Sequence, residues 1–210
     1  MKIWKKIILV VLIILSAAAY SYGEWPRAIY DTDVSSSVYE NSGELTEGTV
    51  FEQRFVCSDE GFCGLKVKLT KLDHLKIGVY SWKIQETESG TIAGSGMIDE
   101  SMTENKIFES ASALKRGNIE LDIPDQKGSE GKEYLFTIEA KNVEPEETMA
   151  VYLTNKSGND SFLKIGEEDS NQVGVIKLRY HRFNYETFIV FLGIMTYLAV
   201  FIKFMYRLFR

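Results

Sequence analysis

Two cysteines, in the run Cys57-Ser58-Asp59-Glu60-Gly61-Phe62-Cys63, are the residues of this chain best suited to covalent chemistry. Outside the cytoplasm a close, even pair of cysteines is expected to oxidise. Two strands joined by so short a loop can bring the α-carbons into the range a disulfide needs. Closing a loop this small removes about 2 kcal/mol, or somewhat more, of unfolded-state entropy. The bond would therefore act by fixing a hairpin tip and the strand register. Zinc needs more ligands than two thiols with no histidine nearby, and a dithiol redox centre is better served by Cys-x-x-Cys. The spacing predicts a structural disulfide between Cys57 and Cys63.

Other reactive residues give less. His74 and His181 lie far apart, and neither stands beside a nucleophile or a ligand motif. There is no Gly-x-Ser-x-Gly, no phosphate loop and no His-Glu-x-x-His. Asp31-Thr32-Asp33 has the Asp-x-Asp spacing with which some glycosyltransferases hold a metal and a sugar nucleotide. It sits in a polar, serine-rich stretch with no nucleotide-binding pattern around it, so a solvated stalk is the better reading. The loop acids Asp122, Asp125, Asp160 and Asp169 are of the type that binds calcium, but no loop has the dense acid spacing of a dedicated site. Asn155-Lys156-Ser157 and Asn159-Asp160-Ser161 fit the glycosylation sequon. The sequence predicts no catalytic residue, no metal and no cofactor, and a protein that is not an enzyme. Tyr80 and Trp82, which share a strand face with Ile84, are the candidates for ligand binding. An aromatic platform that stacks sugar rings would use them, and so would an ordinary core. Trp25, beside Pro26, is read as an interfacial anchor.

The elements that must position these residues begin with the two hydrophobic ends. Residues 185–206 are apolar but for Glu186 and Lys203, and reach the roughly 20 residues that cross a bilayer core of about 30 Å if the lysine snorkels. Aromatics crowd both ends of this run, as in an interfacial belt. Residues 1–23 combine a basic start, an apolar run and Ala17-Ala18-Ala19. This fits either a cleaved signal peptide or an uncleaved signal anchor. Lys2, Lys5 and Lys6 precede the first run, while Lys203, Arg207 and Arg210 flank the end of the second. The positive-inside rule then places both termini in the cytoplasm, at the plasma membrane, and the middle region outside. The formal net charge is −6 over 210 residues, and the middle is more acidic than this average because the basic clusters lie in the ends. Such a region repels phosphate backbones, which excludes nucleic acid as a partner class.

Residues 24–48 read as a stalk, and 49–180 as one folded region with period-two patterning. Strands are predicted at 50–56, 64–72, 77–86, 90–98, 118–123, 133–141, 148–154 and 174–180. Turns such as Ser89-Gly90 and Lys127-Gly128-Ser129 separate most of them, and 100–115 suits a short helix or an irregular crossing. About eight short antiparallel strands predict an all-β fold, a jelly-roll-like antiparallel β-sandwich. It is flanked by the N-terminal signal or anchor helix (1–23), a transmembrane helix (183–206) and a cytoplasmic tail (207–210).

The segments TVFEQRFVCSDEGFCGLKVKLTKL, KGSEGKEYLFTIEA, TMAVYLTN and VGVIKLRY together resemble extracytoplasmic β-sandwich domains that accompany bacterial envelope-polysaccharide membrane proteins, including multi-pass glycosyltransferases. The resemblance spans residues 48–180 and carries no catalytic motif. It implies a carbohydrate-binding-like accessory module that works beside surface-glycan assembly. The implied partners are the membrane, a glycan, and a multi-pass glycosyltransferase or exporter. The chain departs from the pattern in having one or two spans and no multi-pass body.

Overall fold

A computed structural model describes residues 2–102, 118–156, 158 and 161–209. The crossing predicted at 100–115 falls mostly outside these residues, as do Asp160 and most of the second sequon. The chain divides into two compact units. The first comprises Met1–Trp25 with His181–Arg210, and the second is Pro26–Tyr180.

The first unit is built on helices α1 (Lys2–Ser21) and α2 (Tyr185–Leu208). They meet where α1 ends and α2 begins, with the Asn184 N–H donating to the Ser21 carbonyl at 2.8 Å. Asn184 caps α2, its side-chain oxygen accepting from the Thr187 N–H at 2.9 Å, which satisfies a donor that the first turn leaves open. The Tyr20 ring stacks on Phe191 at 5.1 Å. Ala17 and Ser21, one turn apart, are buried, and the Ser21 hydroxyl donates to the Ala17 carbonyl at 2.7 Å. No residue of α2 is buried, and it is long and apolar enough to cross a membrane. α1 carries its own apolar run from Ile7 onward.

The second unit is mostly β. Its strands form two antiparallel sheets. Strands β1 (Tyr22–Ala28) and β13 (Ile176–Phe183) begin in one unit and end in the other. The first sheet runs β1-β13-β4-β9-β12, where β4 is Phe62–Thr70, β9 Ala150–Asn155 and β12 Gln172–Gly174. β7 (Asn118–Gln126) is added on β4, and β2 (Glu40–Asn41) on β9. The second runs β11-β10-β3-β8-β5-β6. Its members are β11 (Glu168–Ser170), β10 (Ser161–Ile165), β3 (Val50–Val56), β8 (Glu133–Asn142), β5 (Val79–Glu86) and β6 (Ile92–Ile98). One apolar core takes residues from both, including Leu65, Leu121 and Ile176 of the first and Phe51, Ile84 and Phe136 of the second. The alternating burial of β5 and β8 is the physical counterpart of their period-two sequences.

Apart from the pairs β5–β6 and β10–β11, strands adjacent in sequence from β3 to β12 lie in different sheets. The loop between β3 and β4 is therefore a crossing between sheets and not a hairpin tip. This overturns the predicted disulfide: Cys57 and Cys63 are separate, buried thiols. Cys57 belongs to the inter-sheet core. Cys63 does not, and lies at a bulge of β4 where the register with β7 shifts between Phe62 and Gly64. Hydrogen bonds hold the corner instead. Cys57 N–H donates to Lys132 O and Gly131 N–H to Cys57 O, at 2.9 and 2.8 Å. The Glu60 carboxylate accepts from the N–H groups of Gly128 and Ser129. The buried Ser129 hydroxyl donates to Asp59 O and accepts from Phe62 N–H.

Of residues 24–48, predicted as a stalk, 26–48 belong to the folded unit. β2 pairs with β9, Leu45 N–H donates to Met149 O at 2.9 Å, and Leu45 is fully buried. Short elements with single apolar anchors carry no sustained periodicity, so the sequence pattern does not reveal them.

Candidate functional site

Tyr80 and Trp82 point inward from β5 into the inter-sheet core. Tyr80 has no exposed surface, and Trp82 is 7 % exposed. The Tyr80 hydroxyl donates to Leu45 O and accepts from Met149 N–H, both at 2.9 Å. The Trp82 indole lies where a side chain on Gly96 would otherwise stand, a Cβ there falling 2.8 Å from Nε1. These residues fasten the sheets together and offer no platform to a ligand. The predicted ligand role gives way to the core role, because the polar alternation around Trp82 belongs to the outer face of β5.

The other sequence candidates are taken up by local structure. The Asp31 carboxylate accepts from the Asp33 N–H at 2.9 Å, closing a turn. His74 Nε2 is 3.0 Å from the Thr148 hydroxyl, and the His181 ring lies 4.9 Å from that of Tyr22. Asp122 pairs with the buried Arg179. The two lie on either side of Gly64 in the sheet, where a Cβ would overlap the Leu121 carbonyl. Among the described residues no group of three or more His, Cys, Asp or Glu side chains is placed to hold a metal. Burial pushes the Cys57 thiol up to about 12, with Asp59 adding to the rise and a hydrogen bond with Tyr180 opposing it. The thiolate is the reactive form, so this cysteine is packing material at neutral pH.

Two recesses of unit 2 merit comparison. The larger, about 860 Å³, is open and lies between 73–76 and 144–147. It holds the 96 % exposed Leu75, and its charges engage one another, Lys76 pairing with Glu147. The smaller, about 370 Å³, is a depression on the outer face of the second sheet, lined by Glu52, Arg54, Lys156, Phe162, Lys164 and Asp169 among others. Phe162 is 60 % exposed there, with the Lys156 ammonium 5.9 Å from the ring centroid. In the register Phe162 stands opposite Arg54, and Arg54 opposite Leu135. The neighbouring row sets Lys164 between Glu52 and Asp169. One row is thus charge-matched within the sheet, and the other joins an aromatic ring to cations. Such a combination of one apolar surface and a few placed polar groups suits binding and orientation.

Sequence reasoning did not single out Phe162. In Ser161-Phe162-Leu163-Lys164-Ile165 the phenylalanine is in phase with lysine, while Leu163 is in phase with Ile165. That phase marks an outward-facing aromatic, but five residues beside a turn give too little pattern to establish a strand.

No protein-family model matches this chain, and no curated protein matches it.

Proposed function

We infer that this protein is a membrane-anchored, non-enzymatic binding module. Its β-unit works outside the cytoplasm at the outer face of the plasma membrane, and a glycan is its ligand in envelope-polysaccharide assembly. The observation that carries this reading is the contrast within one chain between α2, wholly unburied and apolar, and a β-unit with its own closed core. A helix of that kind is stable when hydrocarbon surrounds it. Strand alternation between two sheets around one core supports the jelly-roll form of sandwich. Retention of α1 as an anchor is supported by Ser21, two residues beyond the Ala17-Ala18-Ala19 run after which a signal peptide would be cut. Ser21 is buried and hydrogen-bonded to the start of α2. The junction of the α1 end with the α2 start, together with basic residues near both termini, supports a hairpin with both ends in the cytoplasm.

Tags at either terminus, in spheroplasts treated with an impermeant protease, test this directly. The expected result is loss of the β-unit with both tags protected and retained in carbonate-washed membranes. Digestion of a tag, or release of the protein by carbonate, would refute the topology or the anchor.

A second reading makes the helices a docking element for a larger membrane enzyme, such as a multi-pass glycosyltransferase or exporter. Gly193 favours it, since nothing stands within 4 Å of where its Cβ would be, and Thr196 lies one turn on. Small residues admit a close neighbouring helix. Co-purification of such an enzyme that survives exchange of α2 for an unrelated span would exclude this role.

A further inference from the structure

We propose that the depression around Phe162 is a subsite for an acidic saccharide, a sugar bearing a carboxylate such as a hexuronic acid residue. The proposal rests on the glycan-binding reading above and moves the site from the inward face of β5 to the outward face of β10 and β3. Three features of the site define the ligand. Phe162 presents an exposed ring, and the apolar C–H face of a pyranose is a flat surface of matching size. Arg54 and Lys156 flank that ring, and Arg54 faces Leu135 and Phe162 across the sheet, with no carboxylate opposite it. Its planar guanidinium is suited to a two-point grip on a carboxylate. Lys164, by contrast, already has Glu52 and Asp169 opposite it, so among the described residues the cations with no carboxylate opposite them, Arg54 and Lys156, lie beside the aromatic ring.

Lys156 sits over the ring at the outer limit for a cation–π contact. An arriving sugar would take over the ring face while the flexible ammonium turns to the sugar carboxylate. Asn171, on the rim, adds an amide that both donates and accepts, as vicinal hydroxyls require. A protein partner fits this surface less well. A stable protein interface buries on the order of 800 Å² per partner, whereas one exposed ring, the exposed Val56 and the half-buried Leu135 form a small apolar area. Further along the sheet the outward positions pass to Thr137 and Glu139.

The test is calorimetric titration of the full-length protein in detergent with trigalacturonic acid, its methyl ester and maltotriose. Saturable binding of the acid is expected, at least tenfold tighter than of either neutral sugar. Phe162→Ala and Arg54→Gln should each weaken it at least tenfold. Phe162 is exposed, so the thermal midpoint of Phe162→Ala should match the parent, which separates lost binding from lost folding. Undiminished binding by a folded Phe162→Ala protein would overturn the site while leaving glycan binding standing. Equal binding of acid and ester would overturn the acidic assignment. If none of the three sugars binds, the subsite is overturned, and with it the glycan part of the function. The membrane anchor, read by protease and carbonate, is unaffected by any of these outcomes.

Discussion

Phe136 in β8 and Phe201 in α2 are the same side chain in opposite circumstances. Phe136 has no exposed surface and packs against Phe51 with ring centroids 6.3 Å apart. Phe201 is 45 % exposed, and its ring contact is with Tyr197 on its own helix. The difference extends to the whole of each unit. In Pro26–Tyr180 the apolar residues close on one another, and the polar ones that join them are matched. Gln53 is an example: its amide donates to Phe162 O and its oxygen accepts from Gly174 N–H. In α2 no residue is buried, and Ile189, Val200 and Ile202 are exposed. Burial of a large apolar side chain stabilises a fold in water by about 1.5–3 kcal/mol. The β-unit draws that stabilisation from itself, whereas α2, which has no buried residue, does not. An apolar sequence therefore marks two different structural roles, and burial distinguishes them.

The strongest way to break this comparison is truncation of each phenylalanine. Phe136→Ala should cost the β-unit about 3–5 kcal/mol, read as a large fall in its thermal midpoint, while Phe201→Ala leaves that midpoint unchanged. Equal effects would refute the division of roles. A charge at the middle of α2 comes next. Ile194→Arg should oppose membrane insertion by about 2.5–3.5 kcal/mol, measured as protein lost from carbonate-washed membranes, with the β-unit still folded.

Tyr80→Phe leaves Leu45 O and Met149 N–H without their partner and should cost about 1–3 kcal/mol. It also sharpens the contrast through pH. Burial raises the Tyr80 hydroxyl from 10.0 to about 12, so the fold disfavours the ionised form. The stability tied to this group is whole below pH 10 and is lost as pH rises towards 12. Tyr134 is raised to about 12 as well, again chiefly by burial. Chemical denaturation across that window should show alkaline destabilisation that is reduced in Tyr80→Phe. A profile unchanged by the substitution would remove Tyr80 from the cause.

Asn184→Ala removes the α2 cap and should cost about 1 kcal/mol, visible as fraying of the first turn in amide exchange. The smallest expected effect is none: reductant should leave the thermal midpoint of the β-unit unchanged, since hydrogen bonds hold the β3–β4 corner. A fall on reduction would restore the disulfide.

Local composition is enough to identify each region. A long, mostly apolar run, uncharged from Thr187 to Ile202, specifies α2 because a helix satisfies its own backbone and needs no distant partner. Alternation over seven to ten residues specifies strands such as β3, β5 and β8, because a strand with one wet face and one dry face must repeat every second residue. Alternation says that a strand has two faces; it does not say which other strand lies beside it. That pairing joins residues far apart in the chain and is visible only once the chain is folded. It set β3 and β4 in different sheets and so separated Cys57 from Cys63. It turned Tyr80 and Trp82 inward, drew Leu45 into the core from a stretch without periodicity, and set Phe162 outward beside Arg54. The physical reason is common to all four: side-chain direction follows from local backbone geometry, whereas the company a side chain keeps follows from which distant segments share its sheet and its core.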